Sequence, residues 1–176
     1  MPLYEVTHNC PLSQKQQAGL ASALAAIHLK WFHVPASFVN VRFCDCSKEV
    51  VYMGGGVVSF PLAKTLNMLR AYVRPGHDNS ELDGVCQDIT TAWKEIVGSE
   101  GQWELHAALM LGCISAAMEY GLHAPGVADG KQWMRDHMGD FRKRAAGGDV
   151  AFQVLVESME AGGDAVGRKG EERVHQ

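Results

Sequence analysis

A strand–helix–strand pattern occurs twice in this chain of 176 residues, and it constrains the fold more than any other feature of the sequence. The first copy spans residues 2–43, and the second spans about residues 52–111. Parallel strands that are joined by a helix cross over with a right-handed connection. The sequence therefore predicts an α/β (α+β) fold with a four-stranded sheet, two helices on one face and the other face uncovered. An apolar uncovered face is typical of an oligomer.

In the first copy, the periodicity of apolar residues changes from strand to helix and back to strand. Residues 2–8 predict a strand, and Ser13 with Gln16 forms the capping-box pattern that begins a helix. Apolar residues then recur at helical spacing, at Leu20, Leu24, Ile27 and Trp31. The alternation from Phe38 to Phe43 predicts the second strand, half-buried on one face.

In the second copy, a short strand at Tyr52 is followed by a glycine turn, and residues 67–74 form a strand that the Pro75-Gly76 turn closes. Ser80 is the predicted N-cap of the next helix, Gly98 ends it, and residues 103–111 form the last main strand. We assign residues 1–147 to one domain. Residues 148–176 form a C-terminal extension with a helix at 150–159 and predicted disorder from Gly162.

Charge and composition exclude several classes of protein. The net charge of −4 does not favour nucleic-acid binding, which needs a basic face. No apolar stretch is long enough for a bilayer, and no apolar leader follows Met1. Five cysteines, an odd number, indicate reduced thiols and a cytoplasmic location. The pair Cys44-Asp45-Cys46 has one residue between its thiols, which is not zinc spacing, so no metal or other cofactor is expected.

Pro2 is the residue with the most distinctive chemistry. If Met1 is removed, the nitrogen of Pro2 becomes a free secondary amine that can accept or donate a proton. If Met1 stays, the same nitrogen is an amide without basicity. Proline is also simply tolerated as the first residue of a strand. A catalytic role for Pro2 therefore depends on other residues that could bind a substrate beside it.

Five segments supply those residues, and in this order they resemble the tautomerase superfamily. The most similar branch is that of cis-3-chloroacrylic acid dehalogenase, of the fungal oxalocrotonate tautomerase type. The resemblance covers roughly residues 2–133 as a pattern. It rests on Pro2-Leu3-Tyr4, Ala26-Ile27-His28, Tyr52-Met53-Gly54-Gly55, Ala71-Tyr72-Val73-Arg74-Pro75-Gly76 and Met118-Glu119-Tyr120-Gly121.

The resemblance implies a role for each of four residues. Pro2 would be the catalytic amine, and His28 and Arg74 would bind the carboxylate of the substrate. Glu119 would activate water, as it does in the hydrolytic branch. An arginine suits a carboxylate because its guanidinium donates two parallel, charge-assisted hydrogen bonds. Read without the family, His28 is a histidine near a helix end, Arg74 is a solvated charge, and Glu119 is a cap or a partner for Arg70.

Two positions depart from the pattern of the family. A second arginine is expected three residues after Arg74, where this chain has His77. Arg70 lies at even spacing from Arg74 on the same predicted strand, so we expect it to replace the missing arginine. The water-activating tyrosine of the family falls at Ala108, which cannot donate a hydrogen bond. The sequence therefore favours tautomerisation over hydrolytic dehalogenation.

The predicted function is a proline-dependent enol–keto tautomerisation of a small carboxylate substrate, with slow hydration or dehalogenation of 3-haloacrylates. One alternative is decarboxylation of a β-keto acid on the same scaffold. A second alternative is a non-catalytic, cytokine-like interaction protein, in which the C-terminal extension makes the contacts. The resemblance implies a homotrimer, and neither nucleic acid nor a membrane is an expected partner.

Overall fold

The computed structural model describes residues 2–49, 51–53, 56–58, 66–126 and 129–160. The strands are β1 Leu3–His8, β2 Asn40–Asp45, β3 Val51–Met53, β4 Gly56–Val58, β5 Asn67–Val73, β6 Leu105–Gly112, β7 Met118–Glu119 and β8 Leu122–His123. The α-helices are α1 Gln14–Phe32, α2 Asn79–Ile96, α3 Gly130–Asp136, α4 Met138–Ala146 and α5 Val150–Glu160. Short 3-10 turns lie at Ala36–Phe38 and Gly101–Trp103.

The main sheet has the strand order β2-β1-β5-β6. β1 pairs parallel with β2, and β5 pairs parallel with β6, so each strand–helix–strand unit contributes two neighbouring strands. The units meet at β1 and β5, which run antiparallel. The predicted α/β class, with four strands and two helices on one face, is confirmed.

The core lies between the sheet and helices α1 and α2. β1 and β5 alternate strictly between buried and half-buried residues, so one face of each strand points into this core. Tyr4 pairs with Ala71 and Val6 with Leu69, so their side chains lie on the same, buried face of the sheet. The helices cover this face with their apolar residues, among them Leu20, Leu24, Ile27, Val85, Ile89 and Trp93. Together these side chains form a continuous apolar core.

Helices α1 and α2 pack closely where Trp31 crosses Gly84. A Cβ atom built on Gly84 would overlap the Trp31 indole, so only glycine fits without a shift. The indole is held in place because its Nε1–H donates to Asp88 Oδ2 at 2.7 Å. Lys30 Nζ donates to the same oxygen at 2.7 Å, and these bonds lower the pKa of Asp88. This contact fixes the C-terminal half of α1, which carries His28.

The other face of the sheet is uncovered by any described residue. Its centre is polar, because Glu5 lies between Arg42 and Arg70, with N–O distances of 3.9 and 3.6 Å. Apolar side chains occupy the β6 side of this face, where Leu109 is 39% exposed. The face is therefore mixed in character, and less apolar than the sequence pattern predicts.

The last three helices build a second, smaller core beside the sheet. Phe141 of α4 and Phe152 and Leu155 of α5 are buried there with Phe38, which precedes β2. The β7–β8 hairpin contacts the same cluster through Leu122. The helix expected at 150–159 therefore exists as α5 and packs onto the rest of the chain, while the domain boundary at residue 147 stays a prediction.

Several details of the sequence interpretation change. The N-cap of α2 is Asp78, whose carboxylate accepts from Ser80 N–H, because the helix begins at Asn79 and Ser80 already lies in its first turn. The predicted turn at Gly54-Gly55 and the predicted disorder after Gly162 lie outside the described residues. In the part of the chain that is described, no helix is long and apolar enough to cross a membrane.

Candidate active site

A cavity of about 280 Å³ opens where the N-terminus of β1, the C-terminus of α1 and the C-terminus of β5 meet the β7–β8 hairpin and α3. It brings together five of the six residues that the sequence singled out. These are Pro2, His28, Arg74, His77 and Glu119. The cavity has a size that suits a small metabolite. It combines an apolar wall with a few polar groups, as binding sites commonly do.

Pro2 is buried at the start of β1 and contributes to the cavity wall. Its carbonyl accepts a hydrogen bond from Asn40 N–H at 3.1 Å, which extends the parallel pairing of β1 and β2 by one residue. The main chain at Pro2 is therefore held by the sheet. Its catalytic role stays a prediction.

His28 is a buried, neutral histidine rather than a cation. It is 3% exposed, and burial, aided by the nearby His77, lowers its pKa to about 3. Its Nδ1 lies 2.8 Å from the hydroxyl of Tyr4, which is fully buried and whose pKa burial raises. Since no other partner of this hydroxyl is present among the described residues, the Tyr4 O–H donates and leaves the proton of His28 on Nε2. His28 can then donate a hydrogen bond, but it carries no charge to attract a substrate or to interact with the helix dipole.

Arg74 follows directly after β5 and supplies the cation of the site. Its Nη1 donates to the Ser115 carbonyl at 3.3 Å, and its Nη2 donates to the Ala124 carbonyl at 3.0 Å. These two bonds fix the plane of the guanidinium. Other donors among its five N–H groups remain for the oxygens of a carboxylate.

The turn after Arg74 brings His77 back to the cavity. Gly76 has a φ of +105°, a conformation that side chains rarely adopt, and it reverses the chain. The His77 ring then packs on Phe32 with centroids 4.2 Å apart, and Phe32 packs on His28 at 4.7 Å. His77 also approaches Glu81, with 3.8 Å between Nδ1 and Oε2. The three stacked rings form one wall, which keeps the two histidines apart and in fixed orientations.

Glu119 reaches the cavity from the β7–β8 hairpin and is 8% exposed. The hairpin turns through Tyr120 and Gly121, both with positive φ, at 54° and 83°. A two-residue turn of this kind matches the twist of paired strands, although it is unusual for a tyrosine. Trp133 holds the second strand, because its Nε1–H donates to the His123 carbonyl at 2.7 Å. The site therefore contains one buried carboxylate.

Arg70 and Ala108 lie away from this cavity. Arg70 is on the uncovered face of the sheet, where it approaches Glu5 and its Nη1 donates to Thr7 Oγ1 at 3.3 Å. Arg70 is not among the described residues that line the cavity, and the expectation that it replaces the missing arginine stays a prediction. Ala108 packs against the main core, and no tyrosine is among the described residues that line the cavity.

Sequence reasoning missed several polar or aromatic residues of the cavity, among them Phe32. Lys131 is an exposed cation of α3, and His33 is the C-cap of α1, with a φ of 55°. Trp133 forms part of the apolar wall. The segment around Lys131 has neither strand nor long-helix periodicity, so no sequence signal connects it to the site. His33 had a weak signal, since it follows the helix and precedes Pro35.

Metal binding finds little support among the residues present. In the described part of the chain, no three or more His, Cys, Asp or Glu side chains are arranged to hold a metal ion. What the cavity offers is a main-chain nitrogen at Pro2, a fixed guanidinium, the neutral histidine His28 as a donor and one carboxylate. This set suits the binding of a small anion and the movement of protons beside it.

Several solved structures are similar to this chain in fold. The native crystal structure of Ps01740 has a TM-score of 0.54 and 24% identity, and covers 66% of this chain and 99% of its own. N1, a member of the cis-3-chloroacrylic acid dehalogenase family, has a TM-score of 0.59 and 19% identity, with 76% and 90% covered. Leishmania major MIF2 has a TM-score of 0.52 and 16% identity, with 70% and 97% covered. At these identities, the likenesses show the fold of the chain.

Comparison of the sequence with known proteins assigns the chain to one family. No curated protein matches it. A family profile described as "Putative oxalocrotonate tautomerase enzyme" matches residues 1–137, which include every element that lines the cavity. The chain therefore belongs to this family of the tautomerase superfamily, and the resemblance noted in the sequence is confirmed.

Proposed function

We propose that the protein is a proline-dependent enzyme that catalyses enol–keto tautomerisation of a small carboxylate substrate. The observation that carries this proposal is that Pro2, His28, Arg74 and Glu119 share one cavity of about 280 Å³. The proposal requires removal of Met1, because only then is the nitrogen of Pro2 an amine. A free α-amine has a pKa of about 8, so a share of it is unprotonated at neutral pH.

The substrate class follows from the charges of the cavity. Arg74 holds the carboxylate through paired N–H donors, and Lys131 adds a second positive charge at the exposed side of the cavity. His28, which is neutral, donates Nε2–H without adding charge. A small anion with an adjacent enol or keto group satisfies these donors, and the apolar wall takes its carbon skeleton.

The proposed mechanism moves one proton between two positions of the substrate. The Pro2 nitrogen removes the proton from the enol hydroxyl and returns it to carbon. Arg74 stabilises the enolate that forms beside the bound carboxylate. The Glu119 carboxylate lies in the same cavity and stabilises the positive charge on Pro2 while Pro2 holds the proton. Glu119 therefore raises the pKa of the amine.

Hydration or dehalogenation of a 3-haloacrylate is proposed as a slow side activity. In that reaction protonated Pro2 gives its proton to carbon while Glu119 assists water. The described residues that line the cavity include no tyrosine, so none of them offers a tyrosine hydroxyl to help Glu119 orient the water. Decarboxylation of a β-keto acid is separated from tautomerisation by measuring carbon dioxide beside the decay of the enol.

The test is the substitution Pro2→Ala, with intact-mass measurement to confirm that Met1 is removed in both proteins. We expect ketonisation of a phenylpyruvate-type enol to fall by about 100-fold or more, which is the usual scale for loss of a proton-transfer group. Pro11→Ala, in the turn before α1, is the matched control and should keep full activity. Full activity in the Pro2 variant would contradict the mechanism. A protein that retains Met1 and is inactive would favour the non-catalytic alternative.

We further propose that the chain works as a homotrimer in the cytoplasm. The uncovered sheet face, with Leu109 exposed and ionic groups at its centre, supports burial against another copy. Light scattering on the purified protein measures the oligomeric state directly.

A further inference from the structure

The hairpin that carries Glu119 is too small to hold its own position. β7 and β8 have two residues each and, within the described part of the chain, pair only with one another. An isolated two-stranded hairpin is at best marginally stable in water. Its turn also places Tyr120 at a φ of 54°, an unusual conformation for a tyrosine. The position of the Glu119 carboxylate must therefore depend on contacts from outside the hairpin.

Helix α4 supplies the contact at the turn through Arg144. Its Nη2 donates to the Tyr120 carbonyl at 2.6 Å, and its guanidinium lies 5.1 Å from the centroid of the Tyr120 ring. The same guanidinium lies 5.4 Å from the ring of Phe152. Tyr120 and Phe152 also meet edge to face, at 4.8 Å. Arg144 is thus enclosed between the turn and α5 in a geometry that is favourable for a cation and aromatic rings.

This contact is anchored in the second core. Phe152 is 2% exposed and packs on Phe141, which is fully buried. The turn of the hairpin is therefore tied to a rigid cluster, while its other strand is tied to α3 by Trp133. Tyr120 is the direct neighbour of Glu119, so a shift at the Tyr120 carbonyl moves the carboxylate.

We propose that Arg144 is a positioning residue for the reaction, which acts on Glu119 through the main chain of Tyr120. The inference rests on the proposed function, since it matters only if Glu119 acts on Pro2 or on a substrate. It also makes α4 and α5 part of the active-site structure, although neither contributes a side chain to the cavity wall among the described residues.

The experiment compares Arg144→Ala and Arg144→Lys with Arg142→Ala in the full-length protein. Arg142 lies on the same helix and pairs with Glu160 at 2.9 Å, away from the hairpin, so it is a matched control. We expect Arg144→Ala to lower kcat by about 10- to 100-fold, the effect of a misplacement on the order of an ångström. KM should change less than kcat. Arg144→Lys should restore most of the activity, and Arg142→Ala should behave as the unaltered protein.

The dependence of kcat/KM on pH separates the two explanations, because a general loss of stability does not shift it. Displacing the Glu119 carboxylate lowers the pKa of the Pro2 amine, so the acidic limb of kcat/KM shifts to lower pH in Arg144→Ala. Glu119→Gln should give the same shift, and adding Arg144→Ala to it should change nothing further. The remaining titratable groups of the cavity are the same in all of these variants, namely His28, His33, Arg74, His77 and Lys131.

Amide hydrogen exchange over residues 117–124 reports the hairpin independently of activity. We expect faster exchange in Arg144→Ala than in Arg142→Ala. Unchanged exchange and an unchanged kcat would overturn the inference, as would a full additional loss of activity in the Glu119→Gln background. An active Pro2→Ala enzyme would instead overturn the proposed function, whatever the exchange rates show.

Discussion

At the scale of single residues, the site depends on a histidine that is kept neutral. Burial under Phe32 and the hydrogen bond from Tyr4 leave His28 as a donor without charge. In the proposed function, Arg74 rather than His28 therefore supplies the attraction for an anion. The sequence indicated that both residues bind carboxylate, but it could not indicate this division of roles, because the roles depend on burial.

The neutral state of His28 predicts a particular dependence of stability on pH. The unfolded chain protonates this histidine below a pKa of about 6.5, while the folded protein does so only near a pKa of about 3. The unfolded state thus binds the extra proton first, and the folded state loses stability as the pH falls through 6.5. Between pH 7 and pH 5 this single group should reduce the free energy of unfolding by ~2 kcal/mol.

Urea denaturation at several pH values between 5 and 7 measures this loss. His28→Gln serves as the comparison, because it retains a polar side chain that does not titrate. The decline in stability should be smaller in this variant by ~2 kcal/mol over the range. Parallel curves for the two proteins would show that His28 does not account for the effect.

At the scale of elements, most strands and helices were predictable from the sequence. Most differences between the predicted and the observed elements lie at their ends. The periodicity of apolar residues was sufficient to predict α1 and β1, since each has one buried face. The expected role of Arg70 stays a prediction, and its side chain lies beside Glu5 on the uncovered face of the sheet rather than at the cavity. Lys131 could not be found, since its position depends on the packing of a short helix that has no regular pattern.

The contact between α1 and α2 carries a prediction of its own. Gly84→Ala adds a Cβ that overlaps Trp31, whose indole cannot move without loss of its bond to Asp88. Alanine improves helix propensity by about 1 kcal/mol, but overpacking a well-packed contact costs about 1–3 kcal/mol. We expect the overlap to dominate, so that the variant is less stable by up to about 2 kcal/mol.

Gly19→Ala is the matched control, because its added Cβ would lie at an ordinary distance of 3.4 Å from Ile96. This variant should be neutral or more stable. Thermal or urea unfolding of both variants measures the difference. If Gly84→Ala proves as stable as Gly19→Ala, then Trp31 relocates at little cost and the helix contact is less rigid than described.

At the scale of the whole molecule, the chain has two cores with different tasks. The core under the main sheet positions Pro2, His28 and Arg74. The second core, around Phe141 and Phe152, supports the hairpin of Glu119. The sequence predicted the first core from its duplicated pattern. It gave no sign that the C-terminal helices belong to the site, because contacts between distant segments leave no local periodicity.

Truncation tests this division. A chain ending at Gly147 lacks Phe152 and Leu155, each of which contributes about 1.5–3 kcal/mol through burial. It should keep the circular dichroism of the first core but lose most of its activity. A chain ending at Glu160 retains every contact described for α5 and should remain active. An active chain of 147 residues would mean that the hairpin does not need the second core.

Arg74 also has a consequence for how this enzyme can diverge or be redesigned. Its guanidinium is held by the carbonyls of Ser115 and Ala124, which lie before and after the hairpin of Glu119. Any insertion or substitution that reshapes this segment displaces the anion-binding group and the carboxylate together. Libraries that seek a new substrate should therefore vary residues 115–124 as one unit, since selection for altered affinity alone will also alter turnover.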